Sequence, residues 1–289
     1  MKIANPANTI EIIKKYGFNF QKKFGQNFLI DAHVLEKISH ASGLLQNDLA
    51  IEIGPGIGAL TQYLAERAKN VIAIEIDKNL MPMLKETLAD HENICIINAD
   101  FLKINLEELI NSSKEKYGEF DNIRIVANLP YYITTPIIMS ILESDSYISS
   151  ITVMIQREVA DRMQAMPGSK DYGALSLAVQ YYSKPYVVAS VPPNCFIPRP
   201  NVGSSVIRLD IFKERTVKVS NEKLMFKIIR AGFNQRRKTL VNSLSNFEGL
   251  SFSKDEIIQA LSLIGKSEKI RGEALSLQEF AALTDYLEK

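Results

Sequence analysis

Apolar residues along this chain follow two regimes. From Leu49 to about Asp210, short β-branched runs alternate with stretches of helical spacing, and from about Asn221 onward the spacing is helical throughout. The runs LAIEIG, NVIAIEID, ICIINAD, IRIVANL and SITVMIQ are nearly continuous, without the every-other-residue polarity of a strand with one wet face. They predict parallel strands covered on both sides. Between them, ALTQYLAERA, LMPMLKETLAD and TPIIMSILESD have the pattern of amphipathic helices. This βαβ repetition predicts an α/β fold: a doubly wound, mostly parallel sheet of Rossmann-like type, with ligands at the carboxyl ends of the strands. KPYVVASVPP and SSVIRLDIF, on either side of the loop NCFIPRPNVG, predict two further strands, antiparallel at one edge. NEKLMFKIIRAGFNQRRKTLVNSL, KDEIIQALSLIG and SLQEFAALTDYLE predict a small all-α domain. The expected division is 1–215, with an N-terminal arm, and 216–289.

Composition narrows the class. At 289 residues and 46% apolar content, the chain can bury a sizeable core. Its 34 basic and 33 acidic residues nearly cancel, so a nucleic-acid surface would have to come from their distribution. That distribution is uneven. Lys223, Lys227, Arg230, Arg236, Arg237 and Lys238 are unopposed by any acid from 223 to 247, a local charge of +6. Arg236, Arg237 and Lys238 are consecutive and would fan around the expected helix, which suits a phosphate surface better than a single carboxylate stripe. Arg157 and Lys170 would extend that surface towards the catalytic mouth. The two cysteines, Cys95 and Cys195, exclude a disulfide framework, and with three scattered histidines no metal is expected. No window approaches about 18 uncharged apolar residues, and the N-terminus lacks a signal-like run, so a cytoplasmic protein away from membranes is expected. Without an obvious self-association motif, a monomer is expected.

IEIGPGIGALTQYL follows the first strand and opens a helix, as a nucleotide-binding glycine loop must. Gly54, Gly56 and Ala59 satisfy G-x-G-x-x-G/A, and Glu75 lies 75 − 54 = 21 residues after the first glycine. That pattern alone fits a nicotinamide dehydrogenase as well as it fits S-adenosylmethionine (SAM): glycines let the backbone approach the cofactor and a carboxylate accepts from two ribose hydroxyls. Asp100, at the end of the third run in NADF, is placed to accept from an adenine amine. Acids after both the second and third strands suit a cofactor with ribose, adenine and no phosphate, and the sequence offers no evident His or Lys constellation for hydride transfer.

The fourth run ends in VANLPYYI, which reads either as a turn with the tyrosines tucked inward or as a clamp for an amine-bearing ring. Adenine N6 is a poor nucleophile because its lone pair is delocalised into the ring. Acceptors for its N–H groups would localise that pair and aim it. The side-chain oxygen of Asn128 and the carbonyl of Leu129 are two such acceptors. Pro130 holds Leu129 extended and contributes no competing N–H. Tyr131 offers a stacking face worth about 1 to 3 kcal/mol per base. Tyr132, next along, is expected to be core, because neighbouring strand-end side chains point opposite ways.

Taken together, KKFGQNFLID, IEIGPGIGALT, IEID, NADF, NLPYYITTPI, VPPNCFIPRPNVGSSVIRL and FNQRRKTLVNSL resemble the ribosomal RNA small-subunit adenine N6,N6-dimethyltransferase family, from about Lys22 to Arg271. The resemblance implies a SAM-dependent enzyme that dimethylates two adjacent adenosines in the hairpin loop near the 3′ end of small-subunit (16S) rRNA, within an assembling 30S particle. It places cofactor contacts on Asn27, Leu29, Gly54, Gly56, Glu75, Asp100 and Asn128. Target-base contacts fall on Asn128, Leu129, Pro130 and Tyr131, with Phe196 a second stacking face. Arg230, Arg236, Arg237 and Lys238 are the expected RNA contacts. Lys22 and Lys23 adjoin the segment expected to cover the cofactor. One departure is Gly203, where the family often carries an acid, which puts a local contact in doubt. The rival readings are a large-subunit rRNA adenine N6-methyltransferase of the macrolide-resistance type and an RNA-binding assembly factor without catalysis. NLPY with FNQRRKTLVNSL weighs against the first, and the intact Glu75, Asp100 and Asn128 set against the second.

Overall fold

The computed structural model describes residues 2–21 and 25–288. Nine strands are present among them: β1 (Phe28–Leu29), β2 (Leu49–Ile53), β3 (Asn70–Glu75), β4 (Ile94–Asn98), β5 (Ile123–Asn128), β6 (Ser150–Gln156), β7 (Ser183–Val191), β8 (Phe196–Ile197) and β9 (Ser204–Ile211). Seven make one sheet in the order β4-β3-β2-β5-β6-β9-β7, and β1 pairs with β8 apart from it. β2 to β6 run parallel, as their unbroken apolar runs predict, and β9 is antiparallel to β6. All five residues of β2 are buried, so both faces of the central strand are covered. β7, at the edge, alternates exposed and half-buried positions along most of its length.

The chain leaves β2 in one direction, towards β3 and β4, and later returns to its other side as β5. The strand order reverses there, and the crevice outside the carboxyl ends of β2 and β5 is where such a sheet receives ligands. Helices Ala59–Ala65, Met81–Thr87, Leu106–Tyr117 and Thr134–Leu142 connect the parallel strands.

The short β1–β8 ladder lies within a stretch that the sequence pattern reads as loop. It pairs Phe28 with Ile197 and Leu29 with Phe196, and the Ile30 amide donates to the Cys195 carbonyl at 2.9 Å. Two residues per strand are too few for periodicity to reveal.

The chain forms two units: Met1–Ala160 with Tyr186–Ile211, and Asp161–Pro185 with Phe212–Lys289. The expected contiguous division, 1–215 and 216–289, differs from this mainly by the segment Asp161–Pro185. That segment joins the helical unit through buried polar anchors that hydropathy does not register. The Tyr172 ring is 2% exposed and its hydroxyl donates to the Leu275 carbonyl at 2.8 Å. The Tyr181 and Tyr182 hydroxyls donate to the Glu222 carboxylate at 3.0 and 2.6 Å. Met225, Ile228, Leu244, Leu261, Phe280 and Leu283 fill the core of this unit.

The helix expected to run through FNQRRKTLVNSL is two helices, Glu222–Asn234 and Leu240–Ser245. Gln235 leaves helical geometry at φ −129°, ψ 75°, and the Thr239 side chain caps the second helix by accepting from the Asn242 amide. Arg236, Arg237 and Lys238 therefore occupy the connecting turn and do not fan around a helix. Among the described residues no helix is long and apolar enough to cross a membrane.

Candidate active site

Four strand ends converge on one open cleft. β2 contributes the glycine loop, β3 contributes Glu75, the segment after β4 contributes Asp100, and β5 ends in Asn128. Asn27, Leu29, Gly54, Gly56, Glu75, Asp100, Asn128, Leu129, Pro130, Tyr131 and Phe196 all line it. Arg230, Arg236, Arg237 and Lys238 belong to the helical unit and are exposed there. Arg236 donates to the Lys170 carbonyl at 2.8 Å and lies 3.4 Å from the Glu273 carboxylate, so part of its bonding capacity is already used. Lys22 and Lys23 lie outside the described residues.

The glycine loop is shaped for close approach. Gly54 sits at φ +70°, a conformation costly to any residue with a Cβ, and a Cβ there would meet nothing within 4 Å, so it would project into open cleft. Gly56, at φ +63°, is confined by packing as well: a Cβ would come within 3.2 Å of the Phe28 ring. Phe28 packs at a tilt against Phe18 and Phe20, at centroid distances of 5.9 and 5.2 Å, which backs this wall with aromatic side chains.

The carboxylates are held from several directions. Glu75 is 4% exposed and accepts from the Gly56 amide at 3.1 Å and the Asp77 amide at 2.8 Å. Burial raises its carboxyl to about 7 against the pull of those amides. Asp77 accepts from Gln26 at 2.8 Å, which ties the N-terminal segment to the end of β3. Asp100 caps the short turn that follows, accepting from the Leu102 amide at 3.2 Å.

At the end of β5 the amide nitrogen of Asn128 donates to the Asn27 carbonyl at 3.1 Å. That bond fixes the side chain and leaves its oxygen as the acceptor for an incoming donor. The Leu129 amide is bonded to the Met154 carbonyl at 3.1 Å, while the Pro130 carbonyl accepts from Ile133 and Thr134. The Tyr131 hydroxyl and Ser204 Oγ share a hydrogen bond of 2.8 Å, which steadies that ring at the cleft.

Tyr132 is not core. It is 58% exposed and lines the cleft. Strand alternation stops at Asn128 and residues 131–133 form a turn, so the parity argument that buried Tyr132 does not extend to it.

Glu52 escaped the sequence reading altogether. It is the next-to-last residue of β2, lines the cleft, is 1% exposed, and its Oε2 has no hydrogen-bond partner among the described residues. Burial pushes its carboxyl up to about 8, the Thr61 hydroxyl opposing and the Glu75 charge reinforcing. The available signal was a lone carboxylate inside the apolar run LAIEIG, since a buried acid in a two-sided strand demands a partner. With Glu75 and Asp100 it gives the cleft three acids, and no Lys or Arg among the described residues lining it. Such a cleft offers a pyrophosphate no cationic side chain and favours a cation, beside which its carboxyls ionise; SAM carries an ammonium and a sulfonium, so the residues present fit it.

The sequence model of the ribosomal RNA adenine dimethylases matches residues 17–281. The chain belongs to this family. Among its relatives, the ribosomal RNA small subunit methyltransferase A of Lachnoclostridium phytofermentans is 58% identical over 288 residues, 99% of this chain and 98% of its own. The crystal structure of a dimethyladenosine transferase from Plasmodium falciparum superposes with TM-score 0.73 at 26% identity, over 89% of this chain and 95% of its own. That of the 23S rRNA methyltransferase ErmE does so with TM-score 0.67 at 25% identity, over 91% and 100%. Membership of the adenine dimethylase family makes this sheet a methyltransferase fold, and Asn128 lies at the strand ends where such a sheet binds ligands.

Proposed function

We propose that the chain uses SAM to dimethylate N6 of two adjacent adenosines in the 3′-terminal hairpin loop of small-subunit rRNA, on the assembling 30S particle in the cytoplasm. The observation that carries this reading is the convergence, in one acid-lined cleft, of the glycine loop and a fixed Asn128 whose oxygen is left to accept. The 58% identity to a small-subunit methyltransferase favours that substrate over large-subunit rRNA, the substrate of the more distant ErmE.

Glu75 would accept from the ribose hydroxyls and Asp100 from the adenine amine of SAM. Asn27, Leu29, Gly54 and Gly56 would shape the space around it, and Glu52 would supply negative charge once the cation beside it favours its ionised form. When bound, SAM supplies a methyl group made electrophilic by the sulfonium. In the first transfer Asn128 Oδ1 and the Leu129 carbonyl accept from the two N–H groups of the target N6, and in the second from the one that remains, which turns its lone pair towards the donor. Pro130 keeps the Leu129 carbonyl presented, and Tyr131, Phe196 and the exposed Tyr132 offer faces to an extruded base. No general base is required, because the methylated ammonium is acidic and loses its proton to water. Catalysis is positioning.

The test is transfer of labelled methyl from SAM to small subunits lacking the modification, with the modified nucleotides mapped. Two dimethyladenosines in the 3′-terminal hairpin are expected. Label appearing in 23S rRNA and not in the small subunit would transfer the assignment to the large-subunit class, and binding of SAM without transfer to either would favour an assembly factor.

A further inference from the structure

Beyond the clamp, one cation at the carboxyl end of the sheet has no task in the scheme above. Arg157 follows directly on β6, the strand beside β5, and its amide donates to the Gly203 carbonyl at 3.1 Å. Its side chain is exposed and carries no ion pair among the described residues. The guanidinium lies against Gly203: a Cβ built there would sit 3.4 Å from Arg157 Nη2. Gly203 is not among the glycines with positive φ, so the backbone does not demand glycine at this point. Nor is space the reason, since every atom a Cβ would meet is at ordinary contact distance. What the missing side chain does provide is a bare surface beside a guanidinium that nothing neutralises. The next residue, Ser204, bonds the Tyr131 hydroxyl at 2.8 Å, which puts this pair one residue away from a partner of the cleft lining.

We propose that Arg157 is a positioning residue that grips a backbone phosphate next to the target adenosine, and that Gly203 keeps it free to do so. This rests on RNA as the substrate. A forked guanidinium matches a phosphate's oxygens, and a phosphate contact sets the register of a strand without reading its bases. Holding the phosphate beside an extruded nucleotide fixes where the base can swing, so the contact acts on productive binding and not on methyl transfer itself.

The experiment compares Arg157→Ala, Arg157→Lys, Gly203→Asp and Gly203→Ala with the parent chain. It measures methyl transfer to unmodified small subunits across a salt series, and affinity for a single-stranded adenosine-containing RNA without SAM. Arg157→Ala and Gly203→Asp, which places a carboxylate against the guanidinium, should each raise KM for the particle about tenfold, with kcat within about twofold. Each should flatten the dependence of log affinity on log salt by about 0.7, the share of one single-strand phosphate contact. Arg157→Lys should recover part of the loss, Gly203→Ala should match the parent, and SAM affinity should be unchanged throughout. Gly203→Asp behaving like Gly203→Ala, or an unchanged salt slope in Arg157→Ala, would overturn the proposal. Absence of methyl transfer by the parent chain would instead refute the enzymatic reading, while the RNA affinities still decide the role of Arg157.

Discussion

Asn128 illustrates how one side chain can be given a direction by its own backbone surroundings. Its nitrogen is committed to the Asn27 carbonyl, so its oxygen is left to accept. Asn128→Ala should lower kcat by at least about 100-fold, as loss of reactant alignment does, while the fold melts at a temperature close to that of the parent. Steady-state kinetics paired with a thermal melt checks both halves. Glu52 and Glu75 carry a different expectation. Their folded carboxyls, near 8 and 7, lie above the ordinary 4.5, so the folded state binds their protons more tightly than the unfolded chain. The stability they contribute is complete below pH about 4.5 and is lost as the pH rises towards about 8. The SAM-free protein should therefore melt lower at pH about 8.5 than at pH about 6, and Glu52→Gln should flatten that slope. A cationic ligand favours the ionised carboxyls, so SAM binding should release protons between pH about 6 and 8, measurable by calorimetry in buffers of different ionisation heat.

At the scale of the element, legibility followed periodicity. The five parallel strands were readable because continuous burial writes itself into composition, and the glycine loop because its backbone geometry excludes most residues. The placement of Glu75, Asp100 and Asn128 at the cleft was readable for the same reason: each sits where a counted run stops. Tyr132 was misplaced because strand parity does not survive the turn that follows Asn128. The turn at Gln235 was missed because the residues around it, with apolar positions on both sides, continue a helical pattern that the backbone does not. The segment Asp161–Pro185 was assigned to the wrong side because its anchors are hydroxyls. Tyr172→Phe tests that anchor directly. Removing the hydroxyl leaves the Leu275 carbonyl buried without its donor, which should cost about 1 to 3 kcal/mol. Hydrogen exchange should localise the loss to amides of the helical unit and leave the sheet's protection unchanged.

For the molecule as a whole, charge is a matter of placement. A net charge of +1 does not attract RNA, yet the turn between the helices Glu222–Asn234 and Leu240–Ser245 gathers three exposed cations. Replacing Arg236, Arg237 and Lys238 together by Ala should weaken binding to small subunits at low salt and reduce the slope of log affinity against log salt by up to about 2, as three single-strand phosphate contacts would. Arg236 already bonds within its own unit, so its single replacement should also lower stability while that of Arg237 should not; denaturant titrations of the two variants separate the effects.

The two units are interleaved along the chain, and this has a consequence for how the protein is made. β9 sits between β6 and β7, so the sheet is incomplete until residue 211 has been synthesised, and Phe28 and Leu29 wait for Phe196 and Ile197. Meanwhile Asp161–Pro185 has already been synthesised, and the helices it packs with begin only at Glu222. A nascent chain of this protein therefore carries Tyr172, Tyr181 and Tyr182 unburied through the time needed to translate the rest of the sheet, and neither unit closes until most of the message has been read.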